Sequence, residues 1–103
     1  MSLKKQFLKS GDTCKVTFRL SKTEANDAKK VNLVGSFNNW DINSDEMTPL
    51  KSGDFTLVVT LPINQDIEYR YLLDGNEWIN DPEADAYCSN GQGENNSVVK
   101  TTI

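Results

Sequence analysis

Apolar residues recur along this chain at every second position. Residues 13–20, TCKVTFRL, put Cys14, Val16, Phe18 and Leu20 on one side and Thr13, Lys15, Thr17 and Arg19 on the other. Residues 30–37, KVNLVGSF, set Val31, Leu33, Gly35 and Phe37 against Asn32, Val34 and Ser36. The same period sets Phe55, Leu57, Val59 and Leu61 against Thr56, Val58 and Thr60, and later Ile67, Tyr69, Tyr71 and Leu73 against Glu68, Arg70, Leu72 and Asp74. A final run, NSVVKTTI, is rich in β-branched residues. Successive side chains of a strand point to opposite faces, so this is the pattern of half-buried strands. Such runs, parted by Gly, Asn, Asp and Pro, predict an all-β sandwich.

The connections are equally local. Asp74-Gly75 is a hairpin signal and leads into NEWIN as a short return strand. KSGDF (51–55) and LPINQD (61–66) make two more turns. KTEANDAKK (22–30) has helical propensity but no apolar face, which predicts a solvated loop with room for one helical turn. No repeat or linker divides the chain, so residues 1–103 read as one domain, with 1–12 as an N-terminal lead-in.

Composition removes several functions. The formal net charge is −4 and the charges are interspersed, which disfavours nucleic acid or an anionic membrane as partner. No apolar run reaches membrane-spanning length and the first residues have no signal-peptide core, so a cytoplasmic location is expected. Cys14 falls in the buried phase of its strand and Cys88 lies near the other end, which predicts two free thiols. The Asn95-Asn96-Ser97 glycosylation pattern carries no meaning in that compartment.

The sequence also lacks the common parts of a catalytic site. It has no histidine, no glycine-rich phosphate loop and no cofactor motif. Asp41, Asn43 and Asp45 begin like a calcium loop, but Glu46 stands where glycine is needed and Ser52 where the bidentate acid belongs. Asp81, Glu83 and Asp85 form an acidic cluster beside Pro82, and a small sandwich offers no deep sugar cleft for paired carboxylates to flank. That cluster reads as structural or merely soluble. The chain reads as no enzyme and as needing no metal.

What stands out is GSFNNW (35–40). Phe37 keeps the phase of Val31 and Leu33, whereas Trp40 comes after two amides, past the end of the strand, where full burial is difficult. Trp78 lies just beyond the Asp74-Gly75 turn with polar neighbours. Arg70 is out of phase with Tyr69 and Tyr71, so its guanidinium points to the outer face. Residues 89–97, SNGQGENNS, supply further amides in a segment able to close over a ligand. Flat aromatic rings stack on the C–H faces of a glucose ring, while amides and a guanidinium meet its hydroxyls. Together these residues suit an uncharged polyhydroxylated ligand.

In order and spacing, VNLVGSFNNWD, YRYLLDGNEWINDPEAD and GENNSVV resemble the glycogen-binding module family over about residues 14–100. That family includes the carbohydrate-binding domain of the AMP-activated protein kinase beta subunit and the N-terminal early-set domains of isoamylases and branching enzymes. The resemblance implies an immunoglobulin-like sandwich that binds α-1,4-glucan, glycogen, starch or malto-oligosaccharide. It maps the sugar-stacking tryptophans onto Trp40 and Trp78, the basic residue onto Arg70 and the ligand-bonding asparagine onto Asn95. A leucine that threads the glucan coil in the kinase-type module is replaced here by glycine or glutamine within NGQG. The alternative expectation is a docking or regulatory subunit for a glycogen- or starch-active enzyme or another protein.

Overall fold

The computed structural model describes residues 3–8, 11–89, 91 and 93–102, and they form two antiparallel sheets with no α-helix among them. The first sheet has the strand order β1 (Leu3–Phe7), β2 (Thr13–Leu20), β5 (Phe55–Pro62), β4 (Thr48–Pro49). The second runs β3 (Val31–Gly35), β6 (Asp66–Leu73), β9 (Asn95–Lys100), β8 (Ala86–Ser89). A short strand, β7 (Glu77–Ile79), returns alongside the second half of β6. This is the immunoglobulin-like sandwich that the sequence led us to expect.

Hydrophobic alternation sets the packing. Cys14, Val16, Phe18 and Leu20 are completely buried and lie opposite Leu61, Val59, Leu57 and Phe55 in register. From the second sheet come Val31, Leu33, Ile67, Tyr69, Tyr71, Leu73 and Val99. Phe18 meets Tyr69 edge-on at 5.1 Å, and Tyr69 meets Tyr71 at 5.9 Å, so aromatic rings join the two layers. Burial of one side chain is worth roughly 1.5–3 kcal/mol, and this interior supplies most of the stability. Both thiols are free.

Three strands carry no period-two signal in the sequence. β1 has only Leu3 buried; it sits at a sheet edge, where Lys5 pairs with Asp85. β4 spans two residues, and β8 is a four-residue edge strand. The segment 22–30 is a chain of turns, with Ser21 and Glu24 bonding each other's backbone N–H groups at 3.1 and 2.9 Å. It is less solvated than its composition suggests, because Ala25 is wholly buried.

Candidate functional site

The break in β3 has a steric cause. A Cβ on Gly35 would stand 2.4 Å from the Glu68 carbonyl oxygen and 2.9 Å from the Tyr69 Cβ, so the strand comes too close to β6 for any side chain. Ser36–Asn38 then form a 3-10 turn. Asn38 locks this turn rather than facing a ligand. Its Oδ1 accepts the Gly35 N–H at 3.1 Å, while its Nδ2 donates to the Leu33 carbonyl at 3.1 Å and to Asp45 at 2.9 Å. The Trp40 N–H donates to the Gly35 carbonyl at 2.9 Å. Asn39 and Trp40 both take left-handed backbone angles, φ 58° and 59°. For tryptophan that conformation is strained, and it leaves the side chain 39% exposed.

The hairpin supplies the second ring. Asp74 and Gly75 have φ of 49° and 74°, and the Asp74 carboxylate accepts the N–H groups of Lys29 and Lys30 at 2.9 and 3.0 Å, pinning the turn to the preceding loop. Trp78 lies opposite Leu72 in register and is 41% exposed. Glu68, Arg70 and Leu72 form the outward row of β6. The Arg70 guanidinium carbon is 5.8 Å from the centroid of the Trp78 ring, within cation–π range. Its Nη1 donates to Glu94 at 2.9 Å, while Nε is buried with no hydrogen-bond partner among the described residues. Gly35 pairs with Tyr69 and Trp78 with Leu72, so the Trp40 loop and Trp78 flank β6 at positions on either side of Arg70.

Asn95 is exposed at the start of β9, and its carbonyl accepts the Asn80 amide at 2.7 Å. It shares the strand phase of Ser97, which pairs with inward Tyr69; Asn96 has the phase of the Arg70 face. Asn96 donates to Glu68 at 3.0 Å. The Asn96 amide, and after it the Cys88 thiol, hold the Glu68 carboxyl below the usual range, while burial and then Glu68 push the Cys88 thiol up. Sequence reasoning missed Glu68, Glu94 and Asn96. Glu68 was legible as an outward residue two positions before Arg70, but its bond to Asn96 spans 28 residues and leaves no local trace. Of the amide-rich segment, Asn90 and Gln92 lie outside the described residues.

The acidic cluster is built for structure. Asp81 is completely buried, accepting the hydroxyl of Tyr69 at 2.7 Å and that of Tyr71 at 3.4 Å. Its N–H donates to Ser97 at 2.8 Å, and its carbonyl accepts the Tyr87 hydroxyl. Asp85 accepts from Lys5 and from the Lys100 N–H. Asp81 is thus the hub that ties the loop after β7 to the core. A groove of about 720 Å³ opens elsewhere, at the sandwich end, between Ser36–Asn39 and the β5–β6 turn. None of Trp40, Arg70, Trp78 and Asn95 lines it. The candidate site is centred instead on Trp78, where an exposed apolar ring and the largely buried Arg70 guanidinium meet, with the Trp40 loop on the other side of β6.

Comparison with known proteins agrees with this architecture. No curated protein sequence matches the chain. Crystal structures of the enterobactin esterase of Shigella flexneri superpose with TM-scores of 0.72 and 0.71, at 16% and 13% identity, over 97% of this chain. A structure described as enterochelin esterase from the same organism gives 0.73 at 14% identity. At such identities the likeness is one of fold. The chain spans about a third of the length of those esterase structures. The family model described as carbohydrate-binding module 48 (isoamylase N-terminal domain) matches residues 11–88, the greater part of the sandwich and both tryptophan segments. The chain belongs to that carbohydrate-binding module family.

Proposed function

We propose that this chain is a non-catalytic α-1,4-glucan-binding module, taking glucose rings on Trp40 and Trp78, while Arg70 reaches the sugar hydroxyls from the outer face and Asn95, exposed where β9 begins, reaches them from the strand end. The observation that carries this reading is the Arg70–Trp78 pair. A ring 41% exposed stands beside a guanidinium 5.8 Å from its centroid, which puts an apolar plate and a fork of donors in one place. The strained Trp40 backbone supports it, since strain of this kind gathers at functional positions.

The test is titration with maltoheptaose, followed by tryptophan fluorescence and calorimetry, with a cello-oligosaccharide as control. The curved α-linked chain is expected to bind and the flat β-linked chain to fail. Trp78→Ala should weaken binding about tenfold to hundredfold, by analogy with base stacking worth roughly 1–3 kcal/mol. Its melting midpoint should fall only modestly, since Trp78 is 41% exposed and shields Leu72 from outside the main core. Normal binding by a Trp78→Ala protein that melts far lower would make Trp78 a packing residue and remove the proposal's main support.

A second reading has its own observation. The same fold forms about a third of the esterase chains, so it also exists joined to catalytic domains. On that reading the chain docks an enzyme and its tryptophans contact protein. A fluorescence spectrum unchanged at millimolar maltoheptaose would favour it.

A further inference from the structure

Glu94 lies in the segment that leads into β9, next to Asn95; its side chain is 61% exposed and meets Arg70 at 2.9 Å. Arg70 in turn is largely buried, 15% exposed, and its guanidinium is held 5.8 Å from the Trp78 ring. Its Nε is buried without a partner, so the Glu94 bond is the directional contact that fixes the guanidinium fork among the described residues. We infer that Glu94 is a positioning residue: its ion pair with Arg70 is a latch that sets the guanidinium beside Trp78 and draws the start of β9 against the same ring.

Among the described residues two other bonds anchor this corner, and neither reaches Arg70. Asn80 binds the Asn95 carbonyl at 2.7 Å, and Asn96 binds Glu68 at 3.0 Å; both fix the strand start and leave the guanidinium free to turn. Glu94 is the acidic group that meets it. The nearest outward acid on its own strand, Glu68, is engaged by Asn96.

This inference rests on the glucan reading for its ligand, and it has a distinctive consequence. A malto-oligosaccharide is uncharged, so salt has no direct Coulomb effect on its binding. Screening acts instead on the exposed ion pair, because the Debye length shrinks from about 8 Å at physiological ionic strength to about 3 Å at 1 M. The neutral sugar should therefore bind with a salt dependence that belongs to the protein.

Two measurements test the latch. In a Trp40→Phe background Trp78 is the sole tryptophan, and acrylamide quenching reports its exposure with no sugar present. Adding Glu94→Gln should raise the quenching constant; 1 M sodium chloride should raise it in the Glu94 protein and leave the Gln protein unchanged. Quenching indifferent to both changes would overturn the latch, whatever the sugar result. In the full chain with both tryptophans, maltoheptaose affinity should fall about twofold to fivefold between 0.05 and 1 M salt, the size of an exposed ion pair. Glu94→Gln should show the weaker affinity at every salt concentration, and Glu94→Asp should restore part of the salt dependence. Equal salt dependence in wild type and Gln variant would refute the positioning role. Failure of maltoheptaose to bind at all would sink the glucan reading, and the quenching result would still decide the latch.

Discussion

On the outer side of the first sheet, β2 presents Thr13, Lys15, Thr17 and Arg19, β5 presents Thr56, Val58 and Thr60, and β1 adds Lys4 and Gln6. No acidic residue stands among these strand positions, and the side chains meet water as a half-buried sheet should. The outward positions of the second sheet differ. Val34, Leu72 and Val98 are at most 5% exposed, although no third sheet stands over them among the described residues. Each has a long neighbour directly across the register: Arg70 beside Val34, Trp78 beside Leu72, Glu68 beside Val98. Long side chains lie over apolar ones and make a thin second core. The contrast shows where the molecule spends packing on its surface, and that is the face carrying the proposed sugar site. A stacking plate has to be rigid, and packing beneath Trp78 would serve the proposed site in that way.

The inner faces differ in the same sense. The core positions of β2 and β5 are apolar throughout, whereas β6 and β9 turn Tyr69, Tyr71 and Ser97 inward around buried Asp81. Buried phenol groups need partners, and a carboxylate bonded by several donors meets that need.

The largest expected effect comes from removing the underlay. Leu72→Ala should lower stability by about 2–3 kcal/mol, because the residue is 3% exposed and Trp78 can collapse onto the gap only in part. Urea unfolding measures it, and sugar affinity should fall along with stability as the Trp78 plate loosens. A change as small as at an exposed position would mean the second sheet has no outer core and would dissolve the comparison.

The second effect concerns the inner face and is read against pH. Burial, and then the negative charge and bond of Asp81 together with the neighbouring Tyr71, push the Tyr69 hydroxyl far above its ordinary range. Burial, and then Asp81, do the same to Tyr71. Unfolded, both lose their protons near pH 10; folded, they keep them. The unfolded state therefore holds fewer protons above that pH, so stability is fully present below about pH 10 and is lost as pH rises beyond it. Each tyrosine contributes a slope of about 1.4 kcal/mol per pH unit. Denaturant melts between pH 9 and 12 should show the decline, and Tyr69→Phe should remove about half of the slope due to the pair. A flat profile through pH 12 would mean that neither hydroxyl is confined.

The two sheets were also unequally legible in the sequence. For β2 and β5 the period-two pattern specified the faces, because one face meets the core and the other meets water; in β6 it placed the inward row correctly, although outward Leu72 is also buried. In β3 it misled, since Asn32 and Val34 are buried like Val31 and Leu33; their strand partners, Glu46, Arg70 and Leu72, lie 14 to 40 positions away, and no local period encodes that. Of the site, Trp40, Trp78 and the outward direction of Arg70 were readable from phase and turn signals. Asn38, one of the two amides before Trp40, is committed to the backbone of β3 and to Asp45, which no local pattern foretells. Asp81, within an acidic run beside proline, gave no sign of burial; the signal lay instead in two core-phase tyrosines whose hydroxyls had to end somewhere.

The smallest expected effect completes the contrast. Among the described residues Val58 is the most exposed of the large apolar side chains, at 56%, and it lies opposite Thr17 on the outer face of the first sheet. It borders a shallow depression shared with Lys4, Gln6, Lys15 and Thr17. Threonine has the same branched shape at Cβ and an equal liking for strands, so Val58→Thr removes little buried surface and creates no unpaired polar group. Stability should change by less than about 0.5 kcal/mol, as at most surface positions, and maltoheptaose affinity should stay the same. Leu72→Thr is the matched substitution on the other sheet, where the hydroxyl would be buried beside Trp78, and it should cost several times more. If Val58→Thr instead weakened sugar binding, the ligand would be touching the first sheet, and the assignment of the site to the second would fall.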